Sequence, residues 1–184
     1  MNTEEKKALR RRMRQEKAAL TDGQKHEQAA RVFRTIESMP EFERAQSVLL
    51  YYSLPDELPT HEVVDRWRKQ GKTVFLPRMT GNDLEIVAYD GRLSSDNAFG
   101  VEEPVGEADD RLPDIIIVPG VAFDNRCNRL GRGRGFYDHL LARCQASLKI
   151  GVALDCQIVD CVPTEPHDIA LDRVVTPEST FSRT

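Results

Sequence analysis

The sequence predicts an α/β protein with a largely parallel, mixed sheet, helices on both faces and a Rossmann-like arrangement of three layers. Two observations support this fold class. Short apolar runs bounded by turn residues alternate along the chain with segments of helical periodicity, as expected for parallel strands joined by helices. The chain has 184 residues, of which 40% are hydrophobic, enough to fill one core. We therefore expect a single domain over residues 1–184.

Helical patterns predict the outer layers. They are predicted at residues 4–19, from Thr21 to Pro40, from Thr60 to Gly71 and at 136–144. Thr21 and Gln24 have the spacing of a capping box, Pro40 would end the second helix, and Thr60 would cap the third. The first helix is the most basic stretch of the chain. It is either a solvated face or a source of cations for bound phosphate groups.

Apolar runs predict the sheet, with strands at residues 46–52, 72–76, 84–89, 115–118, 148–154 and 171–175 and an irregular connection over 90–113. Pro77 and Pro119 would end the second and fourth strands. Right-handed crossovers place the loops after strands one, two and four at one edge of the sheet. Glu57, Arg78 and the loop of residues 119–135 would therefore face a common cleft.

The loop from 119 to 135 is the strongest functional feature of the chain. It ends in the alternating residues Gly131, Arg132, Gly133, Arg134 and Gly135, directly before a helix. Glycines let backbone amides approach a ligand, arginines supply forked donors, and a helix start is the positive end of a dipole. Three anion-binding features in one place predict a polyphosphate ligand.

Three known kinds of phosphate-binding site are candidates for this loop. A Rossmann dinucleotide site is favoured by Asp155, which lies where a ribose-binding acid would, but the spacing is GxGxG and the loop is too long. A P-loop fails because no Lys-Ser/Thr pair follows the glycines. A loop that wraps a nucleoside triphosphate fits best, since loops longer than about 12–15 residues in compact domains are usually functional.

Asp138 predicts a bound cation. A carboxylate in the first turn of a helix suits the helix dipole but repels a polyphosphate. Mg²⁺ removes this conflict, because it usually takes one or two carboxylates together with phosphates and water. Asp168 in the last loop is a second candidate ligand. His139 and His167 show no ligand spacing of their own and were not assigned.

An ordered set of motifs resembles the 5-formyltetrahydrofolate cyclo-ligase (methenyltetrahydrofolate synthetase) family over nearly the whole chain. The centre of the resemblance is PGVAFDNRCNRLGRGRGFYDHLL, and KKALR, SLPDELPT, FLPR, GVEEP and IGVALDCQIVDCVPTEPHD occur in the expected order. Such a set is far more specific than a single glycine pattern. The chain departs from the family at Cys127, where members often have Gly, and at Phe136, where some have Tyr.

The resemblance implies an ATP-dependent ligase that converts 5-formyltetrahydrofolate to 5,10-methenyltetrahydrofolate and releases ADP and phosphate. The γ-phosphoryl group would pass to the formyl oxygen, and a second folate nitrogen would attack the resulting iminium phosphate. Catalysis would depend on positioning and charge neutralisation. The implied cofactor is Mg²⁺, with ATP as co-substrate. We expect a cytoplasmic monomer that binds small molecules and neither nucleic acid nor membranes.

The resemblance also assigns residues by position. The ATP-binding set is Lys6, Lys7, Arg10, Arg129, Leu130, Gly131, Arg132, Gly133, Arg134, Gly135, Phe136 and Tyr137. The folate-binding set is Tyr52, Glu57, Arg132, Gly133, Arg134, Gly135 and Phe136, and the magnesium ligands are Asp138 and Asp168. Glu57 suits the pterin because its carboxylate can accept hydrogen bonds from neighbouring N–H groups.

The alternative from another class is a non-catalytic module that binds nucleotides or nucleic acid through the basic helix and the Gly/Arg-rich loop. The net charge of −4 and the lack of interleaved surface aromatics weigh against nucleic acid. Consumption of ATP only in the presence of 5-formyltetrahydrofolate would favour the enzyme.

Overall fold

The computed structural model describes residues 2–184, so Met1 of the predicted domain lies outside the described residues. The helices are α1 (Asn2–Ala18), α2 (Asp22–Glu37), α3 (Pro40–Arg44), α4 (His61–Lys69) and α5 (Phe136–Arg143), with a 3₁₀ turn at Asp155–Gln157. The strands are β1 (Ser47–Leu49), β2 (Thr73–Thr80), β3 (Asp83–Ala88), β4 (Leu93–Ser94), β5 (Glu103–Pro104), β6 (Ile115–Val118), β7 (Ala122–Phe123), β8 (Arg129–Leu130), β9 (Leu148–Val152), β10 (Arg173–Val175) and β11 (Thr180–Ser182).

The main sheet has seven strands in the order β11-β10-β9-β6-β1-β2-β3. The five inner strands are parallel, and β3 and β11 are antiparallel edges. This confirms the predicted fold class. From β1 the chain adds β2 and β3 on one side, whereas β6, β9 and β10 fill the other. The strand order therefore reverses between β1 and β6, and the crevice beyond their carboxyl ends is where such sheets bind ligands.

Helices cover both faces of the sheet. On one face α2 and α4 bury Phe33 and Trp67, whose rings meet edge to face at 5.7 Å. On the other face α5 buries Leu140 and Leu141. Burial of each such side chain contributes about 1.5–3 kcal/mol and fixes the helices against the strands. α1 instead packs Met13 against the β7–β8 hairpin, so its basic residues lie beside the crevice.

Pro77 does not end β2, contrary to the prediction. The strand continues to Thr80, pairing with β3, whereas β1 pairs only with Thr73–Phe75. The backbone nitrogen of Pro77 faces the side of β2 where β1 has already ended. Its missing N–H therefore removes no hydrogen bond between strands. Arg78 consequently lies inside the strand. It donates to Glu85 at 2.5 Å and to the carbonyl of Gly106 at 2.8 Å, and the prediction that it faces the cleft is wrong.

Other element ends also differ from the predictions. α2 ends at Glu37, and Pro40 begins α3 as its first residue, a position where the missing N–H is harmless. Thr60 precedes α4 without capping it, because its hydroxyl donates to the carbonyl of Tyr51 at 2.6 Å. The predicted loop of residues 119–135 contains the β7–β8 hairpin, and the edge strand β11 was not predicted. The capping box of Thr21 and Gln24 is confirmed.

Within residues 2–184, none of the helices has the length and apolar character needed to cross a membrane.

Candidate functional site

A cavity of about 520 Å³ lies beyond the carboxyl ends of β1 and β6. Its walls come from α1, the SLPDELPT loop (residues 53–60), the Gly/Arg loop (residues 119–135), residues 99–103 and the loop of residues 163–168. The predicted site residues that line it are Lys6, Arg10, Tyr52, Glu57, Arg129, Leu130, Gly131, Arg132, Gly133, Arg134, Gly135, Phe136, Tyr137, Asp138 and Asp168. Lys7 does not line it. Its side chain is exposed and lies 3.4 Å from Glu4, so the structure does not bring Lys7 to the site.

The Gly/Arg loop is held in shape by a buried carboxylate that sequence reasoning missed. Asp124 is fully buried and accepts hydrogen bonds from the backbone N–H groups of Arg126, Asn128 and Val162 at 3.0 Å each. These bonds close the turn between β7 and β8 and join it to the chain after β9. An Asx turn of the form Asp-Asn-Arg was the sequence signal for it.

Glycines in this loop allow neighbouring side chains to approach the backbone closely and allow backbone conformations with positive φ. Gly133 (φ 105°) and Gly135 (φ 72°) adopt conformations that L-residues rarely take. A Cβ on Gly131 would lie 3.0 Å from Nη1 of Arg129, and one on Gly133 would lie 3.4 Å from Cζ of Arg10. Gly135 precedes α5, whose N-terminus therefore opens into the cavity.

Cys127 has φ 64°, a left-handed conformation, and its side chain is buried. A glycine would adopt this conformation without strain. This explains why glycine suits the position, where the family pattern often has it and this chain has Cys127.

Two cations of α1 reach the cavity. Arg10 donates from Nε to the carbonyl of Gly131 at 2.9 Å. The buried Lys6 donates to carboxylates of Glu165 and Asp168, both at 2.7 Å. Burial lowers the pKa of Lys6, but the hydrogen bonds to Asp168 and Glu165 raise it by more, so the ammonium group stays charged. The basic helix is thus joined to the site at two points.

Arg129 lies beneath the cavity floor and is 8% exposed. It donates to the carbonyl of Pro119 at 3.2 Å and approaches Asp138 at 3.4 Å, with the ring of Tyr137 at 5.6 Å. Its Nε is buried without a hydrogen-bond partner in the described part of the chain. A buried N–H without an acceptor is rare in folded proteins, so this nitrogen is a candidate donor to a ligand in the cavity.

Arg132 connects the two loops that line the cavity. Its Nη2 donates to Asp56 at 2.7 Å and to Glu57 at 3.2 Å. The second carboxylate oxygen of Glu57 accepts from the N–H of Leu54 at 2.9 Å. Burial raises the pKa of Glu57, against the lowering effect of the Leu54 N–H and of Arg132. Among residues 2–184 each oxygen of Glu57 accepts one hydrogen bond, and a carboxylate oxygen can accept a second one from a ligand.

Aromatic rings supply flat surfaces near Glu57. Tyr52 stacks on His61 with ring centroids 3.8 Å apart. Burial, and next the charge of Glu57, raise the pKa of Tyr137 well above its ordinary value, so its phenol stays protonated. Phe99 is 56% exposed at the cavity mouth, with the guanidinium of Arg134 5.1 Å above its ring. Sequence reasoning missed Phe99 because the irregular segment around it has no periodic pattern.

Carboxylates for a metal gather at one end of the cavity. Asp138 accepts from the N–H of Ile169, the residue after Asp168, at 3.1 Å, but it lies outside the group of described side chains whose ligand atoms are close enough to share one ion. Ligand atoms of Glu165, His167 and Asp168 lie within 4.8 Å of one another. Glu165 was not predicted, and His167 is not among the predicted ligands because it shows no ligand spacing of its own in the sequence. The carboxylate oxygens of this set suit a hard divalent cation such as Mg²⁺, which prefers oxygen ligands and also binds phosphate.

The fold and this site define a Rossmann-like α/β protein with a Gly/Arg-rich loop beside a second, carboxylate-bearing subsite. Residues 2–177 match the model of the 5-formyltetrahydrofolate cyclo-ligase family. The chain is similar to the 5-formyltetrahydrofolate cyclo-ligase of Haemophilus influenzae, 34% identical over 93% of this chain and 97% of that protein. It is also 34% identical to the enzyme of the same name from Escherichia coli, over 92% and 98% of the two chains.

A solved structure agrees with these matches. The 5,10-methenyltetrahydrofolate synthetase of Aquifex aeolicus superposes with a TM-score of 0.85 at 32% identity, over 96% of this chain and 92% of that one. The chain therefore belongs to the 5-formyltetrahydrofolate cyclo-ligase family. The predicted family and the predicted enzyme class, a ligase, are confirmed.

Proposed function

We propose that this protein catalyses the ATP- and Mg²⁺-dependent closure of 5-formyltetrahydrofolate to 5,10-methenyltetrahydrofolate, with release of ADP and phosphate. One observation carries the proposal. Arg132 of the Gly/Arg loop reaches Glu57 of the SLPDELPT loop across a single cavity, at 3.2 Å. A nucleotide held by the first loop and a folate held by the second would therefore have their reacting groups side by side.

The nucleotide half of the cavity is assigned to the Gly/Arg loop and α1. Backbone N–H groups at Gly133 and Gly135, together with the N-terminus of α5, suit the oxygens of a polyphosphate. Lys6 and Arg10 line the same wall and bring positive charge. Each of the two is already bonded to the site, so little side-chain entropy is lost when the nucleotide arrives.

The folate half is assigned to Tyr52 and Glu57. The pterin ring carries adjacent N–H donors, which match the spare lone pairs of the Glu57 carboxylate. Stacked rings at Tyr52 and the exposed face of Phe99 suit the flat parts of a folate. Tyr137, protonated and next to Glu57, is available as a neutral hydrogen-bond donor. We assign these residues as folate contacts.

Asp138 and Asp168 would hold Mg²⁺, with Glu165 and His167 as further ligand atoms within reach. The bound ion would neutralise phosphate charge and orient the γ-phosphoryl group. Lys6 lies 2.7 Å from Asp168 and would share that carboxylate with the ion. Asp138 keeps its orientation through the N–H of Ile169 in either case.

The chemistry explains the need for ATP. The formyl group is an amide, and its oxygen is a poor leaving group. The formyl oxygen attacks the γ-phosphorus, the bond to the β-phosphate oxygen breaks, and ADP leaves. A second folate nitrogen then attacks the activated carbon and loses its proton, and phosphate departs with the carbon–oxygen electron pair. The chain's part is to hold the reactants in line and to stabilise charge with Arg132 and Arg134.

The proposal extends to the setting in which the protein works. We propose a monomeric protein that acts on small molecules in the cytoplasm.

The experiment that tests this function is absorbance monitoring of the methenyl product. Purified protein is mixed with 5-formyltetrahydrofolate and Mg²⁺, with and without ATP. Product should form only with ATP, with one ADP released per product molecule. Product formation that is independent of ATP, or ATP hydrolysis that is independent of folate, would contradict the proposal.

A further inference from the structure

Asp56 lies between two cations at the junction of three elements. One of its oxygens accepts from Nζ of Lys17 on α1 at 3.0 Å, and the other accepts from Nη2 of Arg132 at 2.7 Å. Lys17 is 4% exposed and faces this carboxylate, whereas the side chain of Asp56 is 45% exposed. Burial raises the pKa of Asp56, but Arg132 and Lys17 lower it by more, which keeps the carboxylate ionised.

The contacts of Arg132 leave most of its guanidinium available. Both carboxylates are bound through Nη2, whereas Nη1 and Nε have no protein partner in the described part of the chain. Arg132 lines the cavity and is about half exposed. A guanidinium that is tied at one nitrogen and free at two others presents a fixed pair of donors to a ligand.

We propose that Asp56, supported by Lys17, is a positioning residue that holds Arg132 between the folate-side carboxylate and the phosphate. This inference rests on the proposed function. Without the charge of Asp56, Arg132 would have Glu57 as its one carboxylate partner among these contacts. The Arg132 guanidinium would then move toward the Glu57 carboxylate, which the folate needs, and away from the transferred phosphoryl group. Asp56 thereby keeps Arg132 shared between the two substrates.

The sign of the effect on ATP separates positioning from a general structural role. Asp56 places a negative charge beside the phosphate half of the cavity, which weakens rather than strengthens ATP binding. Asp56→Asn should therefore lower kcat at least tenfold, while ATP binding measured by calorimetry without folate stays unchanged or tightens. A role limited to holding the SLPDELPT loop in shape would weaken both.

Three further single variants and one double variant complete the test. Lys17→Met keeps the packing of the side-chain stem and removes the charge, so it should lower kcat in the same direction by a smaller factor. Arg132→Gln should lower kcat strongly, and adding Asp56→Asn to it should cause no further loss. Asp90→Asn is the matched control, since Asp90 pairs with Arg92 at 2.6 Å on the surface away from the cavity. It should match the wild type.

The outcomes are distinct. The inference is supported if Asp56→Asn lowers kcat without loss of ATP affinity. In the Arg132→Gln background, the same substitution should cause no further fall in kcat. An unchanged or raised kcat, a parallel loss of ATP affinity, or additive losses in the double variant would overturn it. Absence of ATP-dependent product in the wild type would overturn the proposed function, and this inference with it. Thermal unfolding of each variant establishes that the comparison is made between folded proteins.

Discussion

Replacing Glu57 with glutamine should weaken recognition of the folate while leaving ATP binding nearly intact. The carboxylate accepts from the N–H of Leu54 at 2.9 Å and from Arg132 at 3.2 Å, and Glu57 lines the cavity. Glutamine has the same shape, but its amide offers one acceptor oxygen and one donor nitrogen. With the oxygen kept on Leu54, the NH₂ group faces Arg132 and the pterin N–H groups.

The magnitude follows from the bonds that are lost. A hydrogen bond to a charged group contributes about 1.5–3 kcal/mol, which corresponds to roughly a ten- to hundred-fold loss in kcat/KM for 5-formyltetrahydrofolate. Arg132 limits the damage elsewhere, because it keeps its shorter contact of 2.7 Å with Asp56. ATP affinity in the absence of folate should therefore remain within about twofold of the wild type.

The pH dependence gives a second readout of the same residue. Burial raises the pKa of Glu57 above its ordinary value of 4.5. Folate recognition needs the ionised form, so kcat/KM for folate should fall as the pH drops through this raised pKa. The fall should begin at a higher pH than for an exposed glutamate. The variant has no charge to lose at this position, so this part of the acid limb should be absent.

The assay is steady-state formation of the methenyl product across pH, with calorimetric ATP binding alongside. Glu178→Gln is a suitable control, since Glu178 pairs with Arg31 at 2.6 Å on the surface. Equal weakening of folate and ATP binding in Glu57→Gln would show that the substitution disturbs the whole cavity. The specific role of Glu57 would then be refuted.

Three further predictions concern the metal, the basic helix and the loop. Asp138→Asn should lose most turnover, partly restored by excess Mg²⁺, yet stay folded because the amide oxygen still accepts from Ile169; full activity at low Mg²⁺ would remove Asp138 from the metal site. Replacing Lys6 and Arg10 together with Gln should raise the KM for ATP, most strongly at low salt, and an unchanged KM would argue for a solvated helix face. In urea unfolding, Cys127→Gly should change stability by less than about 1 kcal/mol, whereas Cys127→Val should destabilise by about 2 kcal/mol; equal effects would contradict the strain argument.

Local patterns were sufficient for the parts of the fold that depend on neighbours in the chain. The four residues of β6 form an unbroken apolar run and are all buried, and the capping box at Thr21 begins α2 as predicted. Pro77 was misjudged because its tolerance depends on how far β1 extends beside β2. That length is a property of the whole sheet and cannot be inferred from the residues next to the proline.

The site shows the same division. The Gly/Arg spacing before α5 predicts an anion-binding loop without any knowledge of the fold, and the structure places that loop in the wall of the cavity. Lys17 and Asp56 are 39 positions apart in the chain, and Lys6 and Asp168 are 162 apart. No periodicity in the sequence connects residues so far apart. Their contacts depend on the packing of α1 against the β7–β8 hairpin. Composition alone therefore could not assign Lys17 or Asp56 to the site.

The central claim is that ATP activates the formyl oxygen for departure, and the fate of that oxygen tests it most directly. 5-Formyltetrahydrofolate labelled with oxygen-18 in the formyl group is converted with ATP, and the released phosphate is analysed by mass spectrometry. One labelled oxygen is expected in phosphate for each methenyl product formed. Label that appears in water, with unlabelled phosphate, would contradict phosphoryl transfer to the formyl oxygen.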